Sequence, residues 1–279
     1  MLAVGSLAAG PASAAASVGS AFAPTNPCTS GITFVQTTSP PGTSYAVATA
    51  GVISSWQFQA APASVPQIKF KVFRPNGGSS FTVIGSSEVV APAANQLSSY
   101  PIRVPVLAGD VIGLATLSAG HCAATGSLHF IVGDAAVGTT QAYTAGAGTI
   151  DVAAVVEPDI DGDGYGDETQ DGCPSQANAQ GTCDKTAPSS TVTSGRTSTT
   201  KTHVKFRFTS DDPSATYECR LKGKHVRKAQ LKSFRPCTSP QKYKHLKVGT
   251  YKFLVRATDL VGNIEQSPAE KRFKVLQKR

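Results

Sequence analysis

Charge is sparse in this 279-residue chain. Asp, Glu, Lys and Arg make up only 16% of it, aromatics 7%, and there is one Trp and one Met. Gly (26) and Pro (18) are frequent instead, a composition that suits short strands joined by turns better than helices. No two cysteines are spaced C-x-x-C, which argues against zinc knuckles and thioredoxin-type redox motifs. Neither G-x-S-x-G nor H-E-x-x-H occurs. The acids of the first half, Glu88, Asp110, Asp134 and Asp151, offer no pair that can be nominated to flank a glycosidic bond. The chain is therefore read as non-enzymatic. Beyond the N-terminus no stretch approaches the ~20 apolar residues of a membrane span.

What is present begins with that N-terminus. MLAVGSLAAGPASAAA is apolar and small, with A-x-A at Ala12-Ser13-Ala14 and again at Ala21-Phe22-Ala23. Residues 1–23 read as a signal peptide or Ala-rich leader, although nothing before Lys69 is positive. The six cysteines, Cys28, Cys122, Cys173, Cys183, Cys219 and Cys237, are even in number. They read as a disulfide set and place the chain outside the cytoplasm, secreted or at the cell surface. Cys28 and Cys122 are the only cysteines of the first half and are paired on that ground. A Cys219–Cys237 bridge would close a loop of about 18 residues, worth roughly 3 kcal/mol by chain entropy.

Charge divides the chain. Residues 1–184 hold 4 Lys and Arg against 12 Asp and Glu, net −8; residues 185–279 hold 22 against 6, net +16. A boundary near Lys185 follows. Before it, IKFKVFR (68–74) alternates apolar and basic residues, and YPIRVPVLAGDVIGLATL puts Ile102, Val104 and Val106 on one face. Seven or eight such period-2 runs over 24–156 predict a jelly-roll-like antiparallel β-sandwich. The lone Trp56 is expected in its core, and Asp110 is expected to cap a turn. After the boundary, HVKFRFTS turns Val204, Phe206 and Phe208 inward and Lys205 and Arg207 outward, and YKFLVRATD aligns Tyr251, Phe253, Val255 and Ala257. Residues 185–279 therefore predict a second, smaller sandwich, and the whole chain is all-β.

Between them lies EPDIDGDGYGDETQDGCP (157–174). Asp159, Asp161, Asp163 and Asp167 fall at positions 1, 3, 5 and 9 of a loop, with Gly164 at 6. Tyr165 at position 7 is placed to offer a backbone carbonyl. Alternating carboxylates on a tight loop, without Cys or His, point to a hard cation, Ca²⁺ before Mg²⁺. Position 12 is Gln170 instead of a bidentate Glu, and no amphipathic helix flanks the run, so this is no EF-hand. The run is similar to the thrombospondin type 3 repeat, carried by Asp159, Asp161, Asp163, Gly164, Asp167, Asp171-Gly172-Cys173-Pro174, Asn178, Gln180 and Cys183. The resemblance implies calcium held in an irregular segment (157–184) with a local Cys173–Cys183 disulfide. Spacing leaves Glu168, Gln170 and Asp171 as alternatives for completing the shell. The segment is expected to act as a rigid spacer between the sandwiches.

The C-terminal block resembles a bacterial Ig-like domain through Tyr217-x-Cys219-x-Leu221, Cys237-Thr238-Ser239-Pro240, Leu246-x-x-Gly249 and Tyr251 to Asn263. That resemblance implies a spacer or display module and carries over no catalytic residue. Its cations, dense in RLKGKHVRKAQLK and RPCTSPQKYKHLK, suit an anionic cell-wall polymer or glycan. The function expected is calcium-stabilised structural or adhesive display. The alternative is carbohydrate binding by the first sandwich, accessory to extracellular glycan hydrolysis.

Overall fold

The computed structural model describes residues 14–37, 42–63, 65–177, 179–226 and 233–277. Among the described residues the regular elements are all β-strands, as the turn-rich composition suits, and no helix is long and apolar enough to cross a membrane. Two compact units divide between Cys183 and Asp184.

Among its described residues the first unit is a sandwich of twelve strands. One sheet orders β1 (Ala16–Ser20), β12 (Val152–Glu157), β4 (Gly51–Gln59) and β7 (Leu97–Val106). The other orders β10 (Thr140–Ala142), β6 (Ser80–Ser86), β5 (Ile68–Pro75), β8 (Val111–Thr116), β3 (Ile32–Val35), β9 (Gly120–Val132) and β11 (Thr144–Ile150), with β2 (Asn26–Cys28) also on β9. Inward residues of both sheets meet in one core: Val18, Ile53, Trp56, Phe58, Val104 and Val152 from the first, Phe70, Ile112 and Leu114 from the second. Trp56 is fully buried, stacked on Phe70 at 5.4 Å. The Cys28–Cys122 bridge lies in this core.

β5 keeps the alternation of apolar and basic residues, yet Lys71, on the face away from the main core, is buried. Period-2 alternation sends Ile68, Phe70 and Val72 to the main core and Phe73 to the opposite face, into a second cluster with Phe81, Val83, Ala135 and Tyr143. Both faces of this strand are therefore covered.

Two expected boundaries run through structured parts of the first unit. The leader was drawn to residue 23 and the sandwich from 24, but Ala16–Ser20 is a strand paired along β12, and Val18 is a core residue. The acidic segment was drawn as a spacer between sandwiches. It belongs to the first unit, because hydrogen bonds and packing onto β4 and β7 fix it there, as set out below.

The second unit packs a three-stranded sheet, β13 (Ser190–Ser194), β15 (Val204–Ser210) and β18 (Gln241–Tyr243), against a five-stranded one. The latter orders β14 (Ser198–Thr199), β20 (Ala269–Val275), β19 (Gly249–Thr258), β16 (Thr216–Gly223) and β17 (Arg235–Cys237). Phe206 stacks on Phe253 at 4.4 Å in its core, and Cys219–Cys237 ties β16 to β17. The Asp259 turn is structural: its carboxylate accepts from Val261 N, Asn263 N and Asn263 Nδ2.

Candidate metal centre

The acidic segment leaves β12 at Glu157 and is shaped by its own carboxylates. Asp159 Oδ1 accepts from Gly162 N (2.9 Å) and Asp163 N (3.0 Å), and its Oδ2 from Gly164 N (3.0 Å). Asp161 Oδ1 accepts from Asp163 N, and Asp163 Oδ1 from Tyr165 N. Such side-chain to backbone bonds fold Asp-rich loops onto themselves. Gly164 sits at φ +85°, where a side chain would be strained.

Glu157 anchors the return. It is 2% exposed, accepts from Glu168 N and Thr169 N through Oε2 and from Thr169 Oγ1 through Oε1. Burial raises its proton affinity, but hydrogen bonds from Ser54, Thr169 and the two backbone groups outweigh that and hold the carboxyl below its usual range. A Cβ on Gly166 would collide with this carboxylate. Gln170 Nε2 donates to Ile102 O of β7 at 2.7 Å, and the Arg103 guanidinium lies 4.0 Å from the centre of the Tyr165 ring. Cys173–Cys183 closes the far end.

Asp159, Asp161 and Asp163 each bring an oxygen within 4.8 Å of the others. Asp167 and Asp171 stand outside that tight group but close enough for their charge to matter. Burial, then the charges of Asp163, Asp171 and Asp159, push the Asp161 carboxyl upward. Burial and the charges of Asp159, Asp161 and Asp171 do the same to Asp167. Asp167 accepts from Ile160 N, and Asp163 Oδ2 from Gln180 Nε2 at 2.8 Å. Asn178 lies outside the described residues.

Two oxygens complete the picture. Asp161 Oδ2 and Asp171 Oδ2 are buried and accept no hydrogen bond. Asp171 is only 6% exposed, and its other oxygen accepts from Cys173 N. A buried carboxylate oxygen without a donor is costly. The three residues left open for the last ligand are now distinct. Glu168 accepts from Ala15 N, Gln170 reaches β7, and Asp171 alone leaves a buried oxygen unpaired. Glu157 and Gln170 were missed as anchors; their only sequence signal is a carboxylate and an amide flanking the aspartate run.

Elsewhere in the first unit, Asp110 accepts from Leu107 N and pairs bidentately with Arg74. Asp134 pairs with Lys69 and buried Lys71. Asp151 is fully buried, accepts from Phe22 N and Gln59 N, and burial pushes its carboxyl up to about 8. In the second unit, Lys205 and Lys242 stand directly opposite each other on β15 and β18. With His203, Lys244 and His245 they line an open cavity of about 420 Å³. No carboxylate lies within ion-pair distance of these five side chains among the described residues. Arg227 and Lys228, of the separate basic run RLKGKHVRKAQLK, lie outside the described residues.

No family model matches the chain, and no curated protein matches it. Among solved structures it is similar to the "extracellular domain of the putative one component system BT4673 from B. thetaiotaomicron". That match has TM-score 0.24 at 12% identity, covering 73% of this chain and 35% of that one. A β-1,2-glucanase from Parabacteroides distasonis aligns with TM-score 0.21 at 9% identity, covering 84% and 29%. The chain thus spans about a third of the length of these two proteins.

Proposed function

We propose that this chain is a secreted or cell-surface, non-enzymatic structural or adhesive protein whose first unit is locked by Ca²⁺. The observation that carries the metal reading is the pair of unpaired buried oxygens, Asp161 Oδ2 and Asp171 Oδ2, in a cluster of five aspartates. The donor set is all oxygen, which suits a hard cation. Asp159, Asp161 and Asp163 would hold the ion, with Asp171, Asp167 and the Tyr165 carbonyl completing the shell. The ion supplies positive charge that makes the convergence of carboxylates favourable. Glu157 and Gln170 hold the loop on the sandwich, and Cys173–Cys183 closes its far end. The thrombospondin type 3-like spacing and the three disulfides support the reading, the latter through the oxidising compartment they require.

Calcium titration calorimetry on the chain and on an Asp161→Asn/Asp171→Asn variant tests it. Saturable binding lost in the variant is expected; no heat up to several millimolar Ca²⁺ overturns it. With a Kd near 0.1 mM, about 1 mM Ca²⁺ adds roughly 1.4 kcal/mol to stability.

The adhesive half of the reading rests on the Lys205–Lys242 pair. Like charges directly opposite across a ladder are destabilising. An anionic polymer laid over β15 and β18 would relieve that repulsion, and the Ig-like resemblance fits a display module.

A further inference from the structure

We propose that the chain is cleaved between Ala14 and Ala15, and that the α-ammonium so released pairs with Glu168 on the acidic segment. The inference rests on the export reading above and adds to it which bond is cut and what the new terminus does. The sequence offers two A-x-A sites, after Ala14 and after Ala23, and they are equivalent as motifs. The fold separates them.

A cut after Ala23 would strip the first sandwich of a working part. Ala16–Ser20 pairs with β12 from Ala16↔Val156 to Ser20↔Val152. Val18 is 3% exposed within the core, and Gly19 N donates to Ser44 O at 2.6 Å. Phe22 N is one of two backbone donors to the buried Asp151 carboxylate, at 2.8 Å; Gln59 N is the other, at 3.1 Å. All of these would go, leaving a cavity at Val18, an uncovered edge on β12 and a buried carboxylate short of a donor. A cut after Ala14 removes none of them. Ala14 is exposed and Ala16 begins the strand.

The residue between them carries the second half. Ala15 N lies 2.6 Å from Glu168 Oε1. In the uncut chain that nitrogen is an amide with one hydrogen. Hydrolysis by an export-linked peptidase adds one water across the Ala14–Ala15 bond. Ala14 leaves as a carboxylate, and the Ala15 nitrogen takes up protons to become an ammonium. The hydrogen bond already drawn to Glu168 then becomes a charge-assisted ion pair. The cut end would thus be docked onto the acidic segment, beside the proposed cation loop.

The test is to express the whole chain in a bacterial host with export competent, recover the folded product and determine its N-terminus by intact mass and sequencing. A product beginning at Ala15 is expected; one beginning at Pro24, or anywhere else inside the fold, overturns the inference while leaving export intact. Uncut chain retained in the cytoplasm overturns both this inference and the export reading. The pairing is read separately, from the α-amine titrated by NMR after ¹³C-methylation. Its pKa should lie above the usual ~7.7–8.0 of an α-amino group and drop by roughly half a unit in Glu168→Gln. A chain extended by one Gly before Ala15 should lose the same shift. No difference among the three sinks the ion pair.

Discussion

Lys71 shows how much a single side chain can be committed by its surroundings. Its ammonium is buried, 2.6 Å from Asp134 Oδ1, and donates to Ala135 O. Replacing Asp134 with Asn leaves a buried cation without a compensating charge, so a loss of about 2–3 kcal/mol is expected in urea unfolding at pH 7. The same pair predicts a pH dependence. Burial raises the Asp134 carboxyl, but the hydrogen bonds and charges of Lys69 and Lys71 win and hold it below its ordinary value. A lowered carboxylate stabilises the fold above its unfolded pKa near ~3.9, and that stability is lost as pH falls through the folded value. The gap between wild type and Asp134→Asn should therefore narrow below about pH 4; a gap that stays constant down to pH 2.5 would show that the charge contributes nothing.

At the scale of elements, β1 and the acidic segment are both additions to one side of the first sandwich, and both act through β12. A chain starting at Pro24 lacks β1, so loss of the Val18 contacts and the edge pairing should cost about 2–4 kcal/mol. Its deficit should also grow with pH. Asp151, raised by burial to about 8, favours the folded state only while protonated, so its contribution is lost as pH rises through that value. Removing the Phe22 N–H makes the charged form costlier still, and thermal melts should separate the two chains more at pH 9 than at pH 5. For the acidic segment the expected outcome is a calcium-dependent rise in the melting of the first unit alone. Addition of EDTA should abolish that rise, the Asp161→Asn/Asp171→Asn variant should show none, and a variant that still responds to Ca²⁺ would place the ion elsewhere.

For the whole molecule, the asymmetry of charge is the dominant feature: net −8 up to residue 184 and net +16 after it. Binding of the chain to a phosphate polyanion should weaken steeply with salt, and the slope should come from the second unit. Lys205→Glu/Lys242→Glu should flatten the log–log salt slope by about 1.4 for a flexible polymer, read by fluorescence anisotropy with polyphosphate. An unchanged slope would place the contact on other cations of that unit.

Much of this protein is fixed by local chemistry and is readable along the chain. Period-2 runs such as Val204-Phe206-Phe208 and Tyr251 to Ala257 bury one face wherever a single sheet face is covered, so all-β architecture and the inward residues follow from spacing alone. The aspartate run likewise shapes itself, because its carboxylates bond backbone groups two to seven residues away. Long-range contacts decided the rest. Lys71 is buried because the loop carrying Asp134 and Ala135 covers the outer face of β5, a layer that β5 itself does not encode. Ala16–Ser20 reads as leader because small apolar residues suit an export signal and an edge strand equally; only pairing with β12, more than 130 residues on, separates the two. The acidic segment became part of the first unit instead of a spacer through Glu157 and Gln170, whose role depends on where β7 presents the Ile102 carbonyl. Spacing determined which oxygens can converge, and tertiary packing determined which of them, Asp161 Oδ2 and Asp171 Oδ2, are shut away from water without a donor.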